Sequence, residues 1–380
     1  MKKIGIIGAG ISGLYIANLF KKNPKYQVSI FDKKDSLNLN EGYGVQLSTN
    51  CVKFLNEIGF NKLEKNEKFY PEKINFYSKK DQDKICELDI SEFNSNDCKY
   101  TTLKRSTLIN FLKKDLEDLI KTNYSVSKID QEQEKIKLTF ENKETHECDY
   151  LIISDGVFSK SRNLVSNKQI KPKYNDTLAI RGMIPAKSNI IDKKNILLFL
   201  GSNFHHVIYP VSSSEDLNLI AIMKYKLSAD EQKNYSLFDD KSFIQKILEN
   251  IPSENKEFLS NLKELKIFPV FVSDNFFEVK NKNIYLIGDA FFAFPPSFAQ
   301  GASQSIEGAY ELFESIENNS DTNFFKNRVN KTKMVNNRSK LNQFAFHLSN
   351  PLTVYLRNIF LKKIVRNKKF LESYLGKIYR

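Results

Sequence analysis

The chain of 380 residues has no tryptophan, only four cysteines and four histidines, and no long apolar run. No stretch approaches the roughly 20 apolar residues that a membrane-spanning helix needs, so we expect no transmembrane helix. The cysteines lack C-x-x-C or zinc-type spacing, so we expect free thiols, no metal site and a cytoplasmic, reducing location. What is present is apolar and aromatic, with 41% hydrophobic residues, 30 phenylalanines and 17 tyrosines, enough for a large folded core.

Positive charge is concentrated at the C-terminus. Residues 321–380 hold 14 basic and two acidic residues, a net charge of +12, which leaves +1 for the rest of the chain. Such a tail suits nucleic acid, an anionic membrane or an acidic partner. We find no nucleic-acid-binding motif and expect no such partner. On a helical wheel Lys363 interrupts the apolar positions of the last long helix, which favours a solvated face; peripheral contact with the inner face of a membrane through 321–380 is the alternative.

The N-terminal segment carries the pattern of a dinucleotide-binding unit. A short apolar run leads into G-x-G-x-x-G at Gly8, Gly10 and Gly13, a helical pattern follows, and Asp32 closes the next apolar run. Gly8 permits a tight turn, Gly10 leaves room for a pyrophosphate, and Gly13 lets the helix pack on the strand. The helix N-terminus attracts phosphate, and Asp32 is placed to accept hydrogen bonds from an adenosine ribose.

Two further motifs combine an acid with a glycine after a strand-like apolar run. They are Asp155-Gly156 and Gly288-Asp289. Ligands of open α/β sheets bind at the carboxyl ends of the strands, where both motifs would lie. The carboxylate of Asp289 is therefore placed to accept hydrogen bonds from a ribityl chain. A helix that begins near Gly301 directs its N–H groups toward an anionic ring.

With these three motifs in this order, the chain resembles the FAD-dependent aromatic hydroxylases, also called group A flavoprotein monooxygenases. Segments 303–309 and 374–379 are most similar to the salicylate-hydroxylase-like branch. A glycine-containing segment at 42–48 and an arginine at a helix start also match the family. The resemblance implies that FAD is held by Gly8, Gly10, Gly13, Asp32, Gly44, Gln46, Arg105, Asp155, Gly156, Gly288, Asp289, Pro295, Gly301 and Ala302.

The resemblance also implies a fold. We expect an α/β protein with a Rossmann-like, GR2-type FAD-binding domain, an inserted antiparallel-sheet substrate domain and a C-terminal helical region. Strand-like runs separated by turns fill the chain from about 175 to 275, which agrees with the inserted sheet. The expected division is 1–70, 101–170 and 276–330 for the FAD-binding domain, 71–100 and 171–275 for the substrate-binding domain, and 331–380 for the basic helices.

The reaction implied by the resemblance is hydroxylation, or epoxidation, of an aromatic or polyene small molecule. It proceeds through a flavin C4a-hydroperoxide, with NADH or NADPH as co-substrate and O₂ as the source of oxygen. No second G-x-G-x-x-G occurs among the 14 glycines. We therefore expect the nicotinamide to visit the flavin without a domain of its own.

Three residues of the substrate lobe are candidates for catalysis. A phenolic substrate needs a base that raises its electron density, and His205 and His206 lie in a strand-like run of this lobe. Because side chains alternate along a strand, at most one of them enters the pocket. Similar segments of the family place a histidine at the position of His205. Arg181 is a candidate partner for a substrate carboxylate. A purely structural role is the alternative for each of the three.

One departure from the family and one alternative function accompany this prediction. The family commonly reads Gly-Asp-Ala-Ala-His, but Phe291 and Phe292 occupy the last two positions here. We expect a different local polar network. The alternative function is an FAD-dependent reductase or dehydrogenase of an isoprenoid or quinone-like lipid at a membrane surface. A tryptophan halogenase is excluded, because its motif requires tryptophan.

Overall fold

The structure is a computed structural model that describes residues 1–37, 43–78, 83–184, 192–213, 217–251, 262–320 and 323–379. Its strands are β1 (Lys2–Ile7), β2 (Tyr26–Phe31), β3 (Gly44–Leu47), β4 (Lys68–Phe69), β5 (Lys73–Ser78), β6 (Lys84–Asp89), β7 (Thr101–Lys104), β8 (Ile120–Lys121), β9 (Val126–Glu132), β10 (Lys135–Phe140), β11 (Thr145–Cys148), β12 (Tyr150–Ile153), β13 (Lys173–Ile184), β14 (Ile196–Gly201), β15 (Phe204–Pro210), β16 (Leu217–Lys224), β17 (Lys263–Val272) and β18 (Ile284–Leu286). Its helices are α1 (Ile11–Lys21), α2 (Thr49–Asn56), α3 (Arg105–Lys113), α4 (Lys160–Ser166), α5 (Lys241–Glu249), α6 (Gly288–Phe291), α7 (Gly301–Glu317), α8 (Phe324–Phe346), α9 (Pro351–Ile364), α10 (Lys368–Leu371) and α11 (Lys377–Tyr379).

A parallel sheet in the order β18-β12-β1-β2-β8 forms the first layer. All its strand pairs are parallel, with β1 at the centre between β12 and β2. A parallel sheet is covered on both faces, which explains why the neighbouring strands β1 and β12 are mostly apolar. Ile4 and Ile6 are fully buried, and α1 and α7 pack together over one face. The carboxyl ends of β1, β12 and β18 thus bring the three glycine motifs to one edge.

A larger sheet in the order β17-β13-β16-β15-β14-β5-β6 forms the second layer. Its neighbours are antiparallel with one exception, the parallel pair of β14 and β5. The expected antiparallel sheet is thus present with one parallel pair. β5 and β6 come from an earlier part of the chain than the other five strands.

The two faces of the larger sheet have different coverings. Leu198 and Leu200 of β14 pack with α8, α9 and the C-terminal residues, while Leu197 and Phe199 pack with α5 on the other face. A π-helical turn, Glu372–Gly376, joins α10 to α11. Alternation along each strand therefore decides which side chains face the C-terminal helices.

Two small sheets and one shortened helix complete the fold. The small sheets have the orders β3-β7-β4 and β11-β10-β9. The apolar pattern of the sequence predicts a helix over Arg105–Ile120, but α3 ends at Lys113. The chain then turns, because Ile120 and Lys121 form β8 and pair with β2 instead. All four cysteines are free thiols.

Candidate functional site

Two cavities lie beside the carboxyl edge of the parallel sheet. The first has a volume of about 270 Å³, and its wall includes Gly8, Gly10, Asp32, Arg105, Asp155 and Gly156. The second, of about 410 Å³, lies between the larger sheet, the start of α7 and the C-terminal helices. Arg105, on the wall of the first cavity, interacts electrostatically with Asp289 on the wall of the second. We call them the nucleotide cavity and the substrate cavity.

The glycine loop has the geometry that the sequence predicts. Gly8 has a φ of +98°, a backbone conformation that favours glycine. A Cβ atom on Gly13 would lie 2.0 Å from the carbonyl oxygen of Gly8, so Gly13 serves close packing of helix on strand. A Cβ on Gly10 would meet nothing within 4 Å, because the space beside it is open. That open space is what an approaching pyrophosphate requires.

Asp32 is held in place by the same loop. Its Oδ2 accepts a hydrogen bond from the backbone N–H of Ala9 at 2.8 Å, and its Oδ1 accepts one from the N–H of Lys34 at 2.9 Å. Each carboxylate oxygen retains a second lone pair. Asp32 therefore faces the nucleotide cavity as a fixed acceptor that fits a ribose diol.

The Asp155-Gly156 motif presents an unsatisfied acceptor. Asp155 Oδ2 accepts a hydrogen bond from the N–H of Ser161 at 3.1 Å. Its Oδ1 is buried and has no hydrogen-bond partner among the described residues. Gly156 has a φ of +85° and open space where a side chain would be. Since buried polar atoms are nearly always paired, this oxygen indicates a missing ligand group.

Arg162 is a residue whose structural role the sequence does not reveal. It is buried, and its guanidinium donates hydrogen bonds to the backbone carbonyls of Ala290 and Val157, both at 3.1 Å. It thus ties the loop after β12 to the helix that contains Asp289. No local pattern identifies the bond to Ala290, because that carbonyl is 128 residues away in the sequence.

The substrate cavity is walled mainly by apolar and aromatic side chains. The predicted residues on its wall are Gly44, Gln46, Arg181, His205, Asp289, Gly301 and Ala302. Pro295 is buried and is absent from this wall; Pro296, the next residue, lines it. Gly42 of the predicted glycine-containing segment lies outside the described residues.

Gly44 and Gln46, both on β3, are held in the cavity wall by contacts with neighbouring segments. The N–H of Gly44 donates to Asn218 Oδ1 at 2.6 Å, and a Cβ there would lie 2.6 Å from the ring of Tyr209. Only glycine fits between this strand and the larger sheet. Gln46 Oε1 accepts a hydrogen bond from the Tyr100 hydroxyl at 2.8 Å, which fixes the amide at the cavity wall.

The start of α7 directs polar groups into the cavity. Gly301 begins this 17-residue helix, and a Cβ on it would meet nothing within 4 Å. The Oγ of Ser297 on the same wall is buried without a partner among the described residues. Ala299 lies between them with a φ of +51°, a conformation that costs energy for a non-glycine residue. Backbone and side-chain donors thus converge on one part of the cavity.

Asp289 is the acid of this wall. Its side chain is exposed to solvent through the cavity, yet the protein around it raises its pKa from 3.8 to about 6 by desolvation, against the opposing charge of Arg105. Among the described residues no hydrogen bond to the ionised carboxylate compensates this cost. A hydroxyl-bearing ligand at this position would supply hydrogen bonds to it.

We expect the Asp289→Asn variant, prepared without FAD, to be more stable than the wild type above pH 6 and equally stable below pH 4. In the wild type the unfolded chain ionises Asp289 near pH 4, whereas the folded chain holds the proton until about pH 6. Stability is therefore lost as pH rises through that window, and asparagine removes the loss. Melting temperatures between pH 4 and 8 measure the effect.

Asp149 provides the matched control for this measurement. Its burial is outweighed by hydrogen bonds from Lys135 Nζ and the N–H of Lys3, so the pKa of Asp149 is lowered. Asp149→Asn should therefore lower the melting temperature at neutral pH. Equal melting curves for Asp289→Asn and the wild type at every pH would contradict the desolvation argument.

The two neighbouring histidines lie on opposite faces of the sheet. His205 lines the substrate cavity, and its Nδ1 is 2.7 Å from Nε2 of His347, at the end of α8. His206 is also buried but stacks on Phe199 on the face covered by α5. Burial lowers the pKa of His205 well below its ordinary value, with His347 and then His206 adding to the shift. Burial also lowers the pKa of His347 to about 4.

Arg181 supplies positive charge to the same wall. Its guanidinium carbon lies 5.9 Å from the centre of the Tyr43 ring, within cation–π range. Tyr209, on the wall beside it, is buried, and desolvation raises its pKa to about 12 although Arg181 opposes the shift. Tyr209 therefore stays protonated and able to donate.

The unusual Phe291-Phe292 pair belongs to the core and is absent from the substrate cavity wall. Phe292 stacks on Phe276 with 4.2 Å between ring centres, and Phe291 packs against Phe324 and Phe325. The aromatic pair thus replaces a polar position by apolar packing, in line with the expected change in the polar network.

The described residues fit FAD along its length. Open space at Gly10 and Gly156 suits the pyrophosphate, and the unpaired Asp155 Oδ1 and the desolvated Asp289 suit hydroxyl donors. The positive end of α7 suits the flavin ring. A nucleotide cavity and an enclosed substrate cavity that meet at such residues define a flavin-dependent oxidoreductase.

The chain belongs to the FAD-binding domain family, whose model matches residues 1–319. It is 24% identical to salicylate hydroxylase from Pseudomonas putida, over 82% of this chain and 75% of that protein. It is 21% identical to 6-hydroxynicotinate 3-monooxygenase from Bordetella bronchiseptica, over 83% and 82%. The crystal structure of Klebsiella pneumoniae HpxO complexed with FAD and uric acid has the same fold, with a TM-score of 0.86 at 13% identity over 99% of this chain and 96% of that one.

These comparisons confirm the predicted family, the fold class and FAD as the cofactor. The curated relatives are hydroxylases and monooxygenases, which favours the predicted monooxygenase over the reductase alternative. The individual cofactor contacts, the catalytic residues and the domain boundaries stay predictions.

Proposed function

We propose that this protein hydroxylates a small aromatic, or similarly electron-rich, molecule with FAD, NADH or NADPH, and O₂. One observation carries the proposal: His205 and Arg181 share the wall of an enclosed apolar cavity with Asp289 and Gly301. His205 and Arg181 suit a phenolic acid as the substrate. Asp289 and Gly301 suit a bound flavin. The names of the curated relatives support the same class of substrate.

His205 is the proposed base. His347 engages Nδ1 of His205, which leaves Nε2 as the ring nitrogen for the cavity. If His347 accepts from Nδ1–H, Nε2 carries a lone pair that accepts the proton of a substrate hydroxyl. The low pKa keeps the imidazole neutral near pH 7. Electron density at the ring carbon to be hydroxylated rises in consequence.

Arg181 and Tyr209 are the proposed orienting groups. A guanidinium in an apolar cavity binds a carboxylate or phenolate strongly, since little water competes. The protonated Tyr209 donates a further hydrogen bond. FAD held at this cavity would supply the redox chemistry with NAD(P)H and O₂. The aromatic wall excludes water from this chemistry.

A screen of NAD(P)H oxidation over hydroxybenzoates, hydroxypyridines and polyenes tests the proposal. We expect a yellow protein whose NADH or NADPH oxidation is accelerated by its substrate, with a product heavier by one oxygen atom from labelled O₂. Turnover under anaerobic conditions with reduced flavin would instead indicate the reductase. Acceleration that yields only hydrogen peroxide for every compound would also count against the monooxygenase.

A further inference from the structure

An exposed apolar surface covers the outside of the C-terminal helices. Seven of the twelve exposed large hydrophobic side chains among the described residues lie between 341 and 360. Concentrations of exposed apolar side chains on a protein surface mark interaction sites. We define the exposed apolar face as Leu341, Phe344, Leu352, Tyr355, Leu356, Ile359 and Phe360.

The spacing on α9 shows that this face is a helix stripe turned outward. Positions 352, 355, 356, 359 and 360 follow the pattern of an amphipathic helix, whose apolar side normally meets a core. Here these side chains are between 37% and 65% exposed. The opposite side of α9 is already occupied, because Leu361 and Ile364 line the substrate cavity. The stripe is therefore a second apolar side that the fold leaves uncovered.

Positive charge borders the exposed apolar face. Residues 322–371 contain 12 basic residues and no acidic residue. Arg328 and Arg357 are buried, but Lys362, Lys363, Arg366 and Lys369 are exposed. Lys363 lies at the end of the stripe, roughly 16 Å along the helix from Leu352 at 1.5 Å per residue. The sequence predicted that Lys363 interrupts the apolar positions of this helix. In the structure Lys363 follows the last residue of the stripe, so it borders the stripe and does not divide it.

We propose that the exposed apolar face binds the surface of an anionic lipid bilayer. The start of α9 and the end of α8 would enter the acyl boundary, to the depth of about 5–10 Å at which amphipathic helices lie. The lysines beyond Phe360 would then reach the phosphate headgroups, with their stems along apolar surface. None of the helices in the described part of the chain is long and apolar enough to span a membrane.

The charge pattern favours a bilayer over a second copy of this chain or a nucleic acid as the partner of the exposed apolar face. A second copy of this chain would bring basic segments together, since 322–371 offers no acidic residue to either copy. Nucleic acid would pair with the lysines but leave the apolar stripe in water. An anionic bilayer satisfies both features at once, with apolar depth and negative surface charge.

Vesicle co-sedimentation of the FAD-loaded protein tests the proposal. We expect binding to phosphatidylcholine vesicles with about 30% phosphatidylglycerol, weaker binding to pure phosphatidylcholine, and partial retention in about 0.5 M NaCl, where exposed charges are screened. Leu356→Ser with Phe360→Ser should lower the partition coefficient at least about tenfold. Lys362→Glu with Lys363→Glu should reduce binding mainly at low salt.

Tyr70→Ser, which changes an exposed aromatic residue outside the face, is the matched control and should bind like the wild type. Flavin content and the melting curve of each variant report its folding. NAD(P)H oxidation, measured on the same variants, shows whether a loss of vesicle binding occurs without a loss of the proposed activity. Absence of sedimentation with both vesicle types would overturn the proposal. So would equal binding of the Leu356→Ser, Phe360→Ser variant, or a lipid-free dimer that this variant dissociates.

Discussion

Replacement of His205 by glutamine is expected to lower kcat/KM for a phenolic substrate by roughly 10²–10⁴-fold, the contribution typical of a positioned acid–base group. Glutamine keeps a hydrogen-bonding side chain of similar reach but does not take up a proton. His205 lies on β15 of the larger sheet, so the variant should still bind FAD. Steady-state oxidation of NAD(P)H, together with quantified hydroxylated product, measures the loss.

His206→Gln is the matched control for that experiment. It changes the same residue type in the same strand but on the face covered by α5, where His206 stacks on Phe199. Its kcat/KM should stay within a few-fold of the wild type even where the melting temperature falls. If both variants lost activity equally, His205 would not be the base. The loss of activity would then come from disturbed packing of β15.

Replacement of Gly10 by valine is expected to weaken flavin binding roughly 100-fold and leave the chain folded. Gly10 has extended backbone angles, with φ −84° and ψ −173°, which valine adopts readily. The new side chain would fill the open space beside the loop. A clash of about 3 kcal/mol with the pyrophosphate corresponds to a roughly 100-fold higher Kd for FAD. Flavin absorbance after purification and titration of the apoprotein with FAD give the result.

Gly10→Ala and Gly13→Ala separate cofactor contact from packing. Alanine at Gly10 should weaken FAD binding less than valine does, with an unchanged melting temperature. Alanine at Gly13 places its Cβ 2.0 Å from a backbone oxygen, so the apoprotein itself should be destabilised. A Gly10→Val protein that retains the flavin of the wild type would show that the cofactor does not approach this loop.

The local parts of the site were predictable because their chemistry is contained in short segments. The loop of Gly8, Gly10 and Gly13 needs only a strand, a turn and a helix in sequence, and the structure has them. Asp155 and Asp289 follow apolar runs that become β12 and β18. Alternation within β15 correctly places the two histidines on opposite faces. The family resemblance extended these local patterns to a whole fold.

Contacts between distant segments were beyond sequence reasoning. His205 and His347 are 142 residues apart, and nothing in either segment indicates the other. Arg162 resembles any basic residue at a helix start until its distant carbonyl partner, that of Ala290, is located. Which of the adjacent residues Pro295 and Pro296 lines the cavity wall is likewise decided only in the folded chain, where it is Pro296. Exposure of the apolar stripe on α9 likewise depends on which side of the helix the cavity occupies.

The strand order of the parallel sheet also determines when a nascent chain becomes able to hold its cofactor. β1 leads into the first glycine motif and is made early. Its neighbour β12, and the edge strand β18 that ends at Leu286, are made much later. At typical translation rates, about 15 to 60 s separate the synthesis of β1 from that of β18. The hydroxyl of Thr49 then hydrogen-bonds to the carbonyl of Tyr379, next to the last residue. We therefore expect the flavin to be enclosed only after Tyr379 has been synthesised, so that cofactor binding comes late in the folding of this chain.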